Sequence, residues 1–335
     1  MDKIRWGIVA TGDIAHRFAE AVKRVEDAEL VAVASRRRET ADRFADEFDI
    51  PRRFASYEDL ADFDGPGSAG VDAVYIGTPH ALHTPNAILM LNHGKAVLSE
   101  KPIAISLSEL DRMIAAARAN KRLLVEGMWG RWVPGTIKLL ELVGQGTIGP
   151  VRGIQAVFSY DMRDEPGHHA FDPAYGGGSL LDVGCYCLHF AGWYAGAPVA
   201  EIKAVADVGS ATGNRVDEYC AYLLRFENNV IAQLSSGMTL DRNGDSFIFG
   251  DLGYVRMASR FYAPERFSVH IHGGEATEYE TPYLGNGFEE QIIDFHRCLR
   301  EGRLESEMVS FAQSREIARQ MDEIRRQIGV KYAVD

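Results

Sequence analysis

The sequence predicts an α/β protein in two parts: a doubly wound Rossmann domain over residues 1–125, then an α+β domain with an open, largely antiparallel sheet over 126–335. Three observations carry that expectation. At 335 residues the chain exceeds what one hydrophobic core comfortably supports. Its first part alternates short β-branched runs with helical patterns, the rhythm of βαβ units on a parallel sheet. After residue 126 the rhythm changes to successive strands with helices set apart from them.

In the first part, strands are expected at Ile4–Val9, Glu29–Ser35, Ala73–Ile76, Ala96–Ser99 and Leu123–Glu126. Helical patterns lie near Ile14–Val25, Thr40–Phe48, Pro85–His93 and Leu107–Asn120, the last opened by the capping-box form Ser106-Leu107-Ser108-Glu109. The second part begins with a helix near Pro134–Val143, a strand over Val151–Tyr160, and a helix from about Leu180 to Tyr194 behind Gly176-Gly177-Gly178. Strands follow near Ala200–Val208, Glu218–Phe226, Val230–Ser236, Ser246–Phe249 and Phe267–His272, with turn pairs Asn228-Asn229 and Gly273-Gly274. Helical patterns at Glu289–Arg300 and Ser310–Ile328 close the chain.

Composition narrows the function classes. A formal net charge of −12 argues against a nucleic-acid partner. No stretch approaches the ~18 uninterrupted apolar residues of a membrane span. The opening Met1 to Val9 lacks the apolar core and cleavage site of a secretory signal. Four cysteines at these spacings make no disulfide framework, so a reducing cytoplasm is expected. Against this acidic background Arg36-Arg37-Arg38 marks either an anion site or a solvated loop before a helix.

The first strand runs into Ala10-Thr11-Gly12-Asp13-Ile14-Ala15. Set on the dinucleotide fingerprint G-x-G-x-x-G/A, Ala10, Gly12 and Ala15 occupy the three glycine places. Only the middle glycine is kept, the one that admits close approach of a pyrophosphate; alanine at the first place departs from the pattern. The second strand ends in Ser35-Arg36 where an NAD enzyme usually carries an acid. A hydroxyl followed by a guanidinium suits a 2′-phosphate, so the expected cofactor is NADP.

Gly77-Thr78-Pro79-His80-Ala81-Leu82-His83, Gly94 through Glu100-Lys101-Pro102, and Gly177 through Tyr186 resemble the three hallmark motifs of the Gfo/Idh/MocA oxidoreductase family. The resemblance spans nearly the whole chain. Trp129-Gly130-Arg131-Trp132-Val133-Pro134 and the ending Met321–Gly329 resemble the branch that holds dimeric dihydrodiol dehydrogenases, NADP-dependent xylose dehydrogenases and glucose–fructose oxidoreductase. The resemblance implies that Lys101 sits beside the nicotinamide, and that Thr78, Pro79, His80, His83 and Glu100 neighbour the cofactor. It also places Arg131 and Trp129 near the substrate, and makes the outer face of the second sheet a subunit contact.

The residues carry chemistry of their own. Lys101 follows a parallel strand's carboxyl end, where ligands bind in open α/β sheets, and its charge would lower the proton affinity of a neighbouring phenol. A surface lysine before a proline turn is the bland alternative. Asp182, Tyr186 and His189 fall at i, i+4 and i+7, on one helical face. Tyr186 stands where many relatives carry histidine, so it is the expected proton carrier, assisted by Lys101, with Asp182 and His189 holding adjacent hydroxyls. His189 reads equally as a core histidine.

Cys185-x-Cys187 matches no zinc spacing, and no metal is expected. His168-His169 with Asp172 reads as metal ligands, as a loop lining a sugar pocket, or as solvent-exposed surface. The expected reaction is reversible oxidation of a cyclic sugar or polyol with NADP(H). The alternatives are NADPH-dependent reduction of a keto-sugar, oxidation of a trans-dihydrodiol, and a non-catalytic NADP-sensing regulator. A homodimer, or an assembly of dimers, is expected from a sheet with few helices to cover it.

Overall fold

A computed structural model describes residues 2–63, 70–241 and 244–333. The chain forms two compact units, Met1–Trp129 with Leu284–Arg315, and Gly130–Tyr283 with Glu316–Asp335.

In the first unit six parallel strands, β1 (Ile4–Val9), β2 (Ala28–Ala34), β3 (Arg52–Phe54), β4 (Ala73–Ile76), β5 (Ala96–Glu100) and β6 (Leu124–Gly127), lie in the order β3-β2-β1-β4-β5-β6. Order and direction make this the Rossmann sheet, and its reversal between β1 and β4 creates the crevice used for ligands. Helices α1 (Asp13–Arg24), α2 (Arg38–Phe48), α3 (Tyr57–Ala61), α4 (His83–Asn92) and α5 (Leu107–Asn120) connect the strands. In α1, Ala15, Phe18, Ala19 and Val22 form the buried stripe that helical periodicity demands. Phe18 stacks on Tyr75 of β4 at 3.8 Å, seating this helix over the crevice. The predicted cap of α5 is present, with Glu109 N donating to Ser106 Oγ at 3.3 Å.

In the second unit eight strands form one sheet: β7 (Val151–Ser159), β8 (Val199–Val208), β9 (Asp217–Phe226), β10 (Ile231–Gly237), β11 (Ser246–Gly250), β12 (Gly253–Met257), β13 (Arg266–Ile271) and β14 (Ala276–Glu280). Their order is β14-β13-β12-β11-β7-β10-β9-β8, and only the β7–β10 pair is parallel. Helix α6 (Pro134–Gly144) precedes the sheet, and α7 (Cys185–Ala195) packs on β7 and β10. Strands β3 and β12 and helix α3 were not expected from the sequence, and neither was strand β14. Its Ala-Thr-Glu-Tyr-Glu is largely exposed and acidic, as an edge strand can be, and carries no buried alternation to read.

Two further features depart from expectation. The helix predicted from Leu180 opens as a π-helical turn over Leu180–Gly184 before α7 begins. The division at 125/126 also misses a return of the chain. Helix α8 (Glu289–Arg300) belongs to the first unit, and α9 (Phe311–Ile328) starts there and ends in the second. The physical reason is a buried network around Trp6. Its ring lies 4.8 Å from Phe295, and its Nε1 donates to His296 Nε2 at 2.9 Å. That leaves His296 Nδ1 to donate to Asp27, 3.0 Å away, which Arg300 also holds at 2.6 Å. An amphipathic helix pattern records that α8 has a core face, not which core it joins.

Candidate active site

The first unit gathers its site at the carboxyl ends of β1, β2, β4 and β5. Gly77 N donates to Val9 O at 3.1 Å and Ala10 N to Ala34 O at 3.0 Å, so the β1 turn is pinned on both sides. Ala10 adopts φ +92°, the left-handed region that favours glycine, which explains why the fingerprint has glycine there and shows that the fold tolerates the strain. Gly12 begins α1 in extended backbone, and a Cβ added to it would meet nothing within 4 Å. The protein's own packing does not require that glycine, and the space beside it leaves the α1 N-terminus open, where backbone amides suit an anionic group. Thr11 lines the same turn.

At the end of β2 the arginine run divides its work. Arg38 pairs with Asp42 at 2.9 Å, and Arg36 is exposed and hydrogen-bonded to the Tyr57 phenol. Arg37 has no side-chain partner among the described residues. Ser35 Oγ lies 2.6 Å from Thr40 Oγ1, which itself donates to Arg37 O at 2.8 Å. A hydroxyl has one proton to give, so Ser35 donates to Thr40 and is not a donor toward an anion. The exposed guanidinium groups of Arg36 and Arg37 are the charged donors at this strand end.

Around Lys101 several predicted cofactor contacts prove to be framework. His83 is fully buried, with Nδ1 2.8 Å from Pro102 O and Nε2 2.8 Å from Thr78 O. Burial lowers its pKa, against the raising effect of those two carbonyls. Both ring nitrogens face backbone carbonyls inside the protein, and the neutral ring donates to one of them, so the buried His83 braces the segments of Thr78 and the cis Lys101-Pro102 peptide. Glu100 is likewise buried. Its carboxylate accepts from Tyr75 Oη at 2.6 Å and Lys101 N at 3.2 Å. Burial raises its pKa, while Tyr75 and the Lys101 and Arg17 charges oppose that rise. Glu100 thus sits beneath Lys101 as a local counter-charge. Thr78 is buried beside Asn86, whereas Pro79 and His80 remain half-exposed at the crevice. Trp129, at 3 % exposure, packs 5.5 Å from Phe288 with Arg17 over its face. That is a core position, not a substrate surface.

The second unit builds its site on the π turn and α7. Gly178 has φ +118°, and a Cβ there would overlap the Asp217 carboxylate. That carboxylate accepts from Ser179 Oγ at 2.8 Å and Leu180 N at 2.6 Å, anchoring the start of the π turn. Burial pushes the Asp217 carboxyl up to about 6, against these donors. Within the turn, Asp182 accepts a hydrogen bond from Tyr160 Oη, and its charge acts on the exposed His169. Burial lowers the His169 pKa, with His168 adding to that and Asp182 opposing it.

Tyr186, 7 % exposed, lies against the rings of Tyr262 at 5.1 Å and Phe158 at 5.6 Å. Phe158 and Tyr262 stack on each other at 4.4 Å. His189 is buried 5.7 Å from Trp193, whose face also carries the Arg131 guanidinium at 5.8 Å. His189 and Arg131 thus meet the same Trp193 ring, while Asp182 has Tyr160 and His169 among its neighbours. Sequence reasoning passed over Tyr160, Tyr262 and Asp217. Of these only Tyr160 left a signal, the alternating aromatics of Phe158-Ser159-Tyr160.

These features can be set beside known proteins. The family model described as oxidoreductase family, NAD-binding Rossmann fold matches residues 4–128, and the Gfo/Idh/MocA C-terminal domain model matches 136–277. The chain belongs to the Gfo/Idh/MocA oxidoreductase family. Across 99 % of both chains it is 33 % identical to trans-1,2-dihydrobenzene-1,2-diol dehydrogenase of Mus musculus. A 3-ketoreductase from Actinomadura kijaniata, solved with NADP and TDP-benzene, is 26 % identical over 98 % of each chain, with a TM-score of 0.86. An aldose–aldose oxidoreductase from Caulobacter crescentus, solved with glycerol, is 25 % identical over 97 % of each, with a TM-score of 0.87. As a Gfo/Idh/MocA oxidoreductase, the protein is an enzyme. No described helix is long and apolar enough to cross a membrane.

Proposed function

We propose that this oxidoreductase of the Gfo/Idh/MocA family acts with NADP(H) on a hydroxyl or carbonyl of a cyclic sugar or polyol. The observation that carries the reading is Tyr186 on an aromatic wall of Phe158 and Tyr262, on the helical segment that also bears Asp182 with its Tyr160 and His169 neighbours. Aromatic faces cover the C–H surface of a ring, and several fixed polar partners are what telling one polyol from another requires. The relatives point the same way, as a dihydrodiol dehydrogenase, a 3-ketoreductase and an aldose–aldose oxidoreductase.

The first unit fits NADP on its own geometry. Open space at Gly12 and the α1 N-terminus suits the pyrophosphate, and Arg36 with Arg37 suits a 2′-phosphate. NADP supplies the hydride acceptor or donor of the reaction. Lys101, held from below by Glu100, presents its charge at the carboxyl end of β5. In the oxidative direction Tyr186 takes the proton of the reacting hydroxyl, and Asp182 accepts a hydrogen bond from an adjacent one. In the reductive direction Tyr186 returns that proton.

A second reading, oxidation of a trans-dihydrodiol, is favoured by the relative of that name and by the same aromatic wall. A regulator without catalysis has no use for Lys101, Asp182 and Tyr186 together. Absorbance at 340 nm with a panel of aldoses, keto-sugars and a benzene dihydrodiol separates these readings; no turnover on any of them overturns the enzyme assignment of substrate class. Arg36→Glu should weaken NADP binding by about 2 kcal/mol, or roughly 30-fold, with NAD binding little changed. Calorimetry that finds the native protein preferring NAD removes the cofactor reading.

The same proposal extends to assembly and compartment. The sheet face away from α7 exposes Val205, Leu223 and Phe249, with Tyr254 stacked on His270 at 4.5 Å. A second copy closing that face makes a homodimer. The four cysteines are free and buried, in keeping with a reducing cytoplasm.

A further inference from the structure

Resting on the reading of Asp182 as a substrate-hydroxyl acceptor, we propose that Tyr160 is the positioning residue for Asp182, fixing its carboxylate as an aimed, ionised acceptor. Alternate residues of β7 face the helix: Ile154 and Ala156 are buried there, and Phe158 and the following Tyr160 continue the row. Phe158 meets Tyr186, and Tyr160 Oη donates to Asp182 Oδ2. Phe158 and Tyr160 stand two apart and so on one side of the strand, and their partners Tyr186 and Asp182 stand four apart, across the π turn and the start of α7. One strand thus serves both side chains in succession.

Tyr160 is itself held in place. Its N donates to Gly237 O at 3.1 Å, the next residue bridges Thr239, and its ring packs on Ala170, Phe171 and Met238. That packing needs a ring but no hydroxyl; phenylalanine would satisfy it equally. The hydroxyl is directed at the carboxylate. An ordinary phenol, with a pKa near ~10, remains a donor across the neutral range. Donation to the charged form of an acid favours that form. Among the groups that act on or with Asp182 are the Tyr160 phenol just beyond β7 and His169, with its neighbour His168, from the turn over His169–Phe171.

The test is a double-mutant cycle of Tyr160→Phe and Asp182→Asn, followed by kcat/KM across pH with NADP and the best substrate. Tyr160→Phe alone should lower kcat/KM by ~10-fold and move its acid limb upward, because the carboxylate loses a donor. In the Asp182→Asn background the same change should cost less than about twofold, since coupled residues are not additive. Fully additive losses, or an unmoved limb at native activity, overturn the proposal. Tyr160→His, which keeps a ring N–H, should restore part of the loss; equal impairment in both variants points to packing and counts against it.

A readout without substrate separates this inference from the substrate reading. Carboxyl-13C aspartate NMR, with the Asp182 signal assigned by its absence in Asp182→Asn, should show that carboxyl titrating higher in Tyr160→Phe than in the native protein. An unshifted titration sinks the inference whatever the activity. A shifted titration in a protein inert toward every sugar and dihydrodiol upholds the contact and sinks the substrate reading alone.

Discussion

The two units place chemical groups by different means. The Rossmann unit works with backbone: a turn pinned between β2 and β4, an open glycine at a helix start, and a lysine carried at a strand end. The second unit works with side chains that meet across a strand and a helix, Phe158 on Tyr186 and Tyr160 on Asp182, with Asp217 anchoring the turn between. The first arrangement depends on local conformation and leaves a motif. The second depends on register between segments distant in sequence: a motif marks Asp182 and Tyr186, and none marks the residues that meet them.

That contrast can be broken most directly at Tyr186. Tyr186→Phe preserves the ring contacts with Phe158 and Tyr262, so folding and NADP affinity should survive while turnover falls by ~100-fold or more. Initial rates and a cofactor titration read both quantities. Native turnover in the variant would mean that Tyr186 is not the proton carrier.

The glycines sharpen the comparison further. Gly178→Ala adds a Cβ where Asp217 already stands, at a φ of +118°, and should cost about 3 kcal/mol of stability. Gly12→Ala adds one into open space in extended backbone, so the melting temperature should hold while NADP binding weakens by at least ~10-fold. Thermal melts and cofactor titrations of the pair decide it. If both variants melt early, the first site is as dependent on internal packing as the second.

The smallest expected effect concerns pH. Burial puts Asp217 at about 6 in the folded protein, above the ~3.9 of an unfolded chain. Between those values the folded state binds more protons, so this group's contribution to stability is present at low pH and is lost as pH rises through about 6. Asp217→Asn cannot titrate. The melting temperature of the variant relative to the native protein should therefore improve between about pH 5 and pH 7.5. An unchanged difference at the two pH values would show that Asp217 does not titrate in that window.

Much of this protein was already determined in its sequence. Alternating strand and helix patterns specified the Rossmann class, Ser106 marked the α5 cap, and the residues around Gly12, Arg36, Lys101 and Tyr186 are where the proposed chemistry is placed. Each is a local signal, set by backbone conformation or by neighbours a few positions away. Tertiary structure alone decided that α8 returns to the first unit, because Trp6 and Phe295 are 289 residues apart and meet only once the sheet exists. It likewise decided that His83 and Glu100 brace the loop under Lys101, since both lie in a motif that also presents ligand-facing groups, and only burial tells the two kinds apart. It turned Ser35 onto Thr40, and it gave Tyr160 to Asp182 across a strand–helix register that pairs residues from separate segments of the chain.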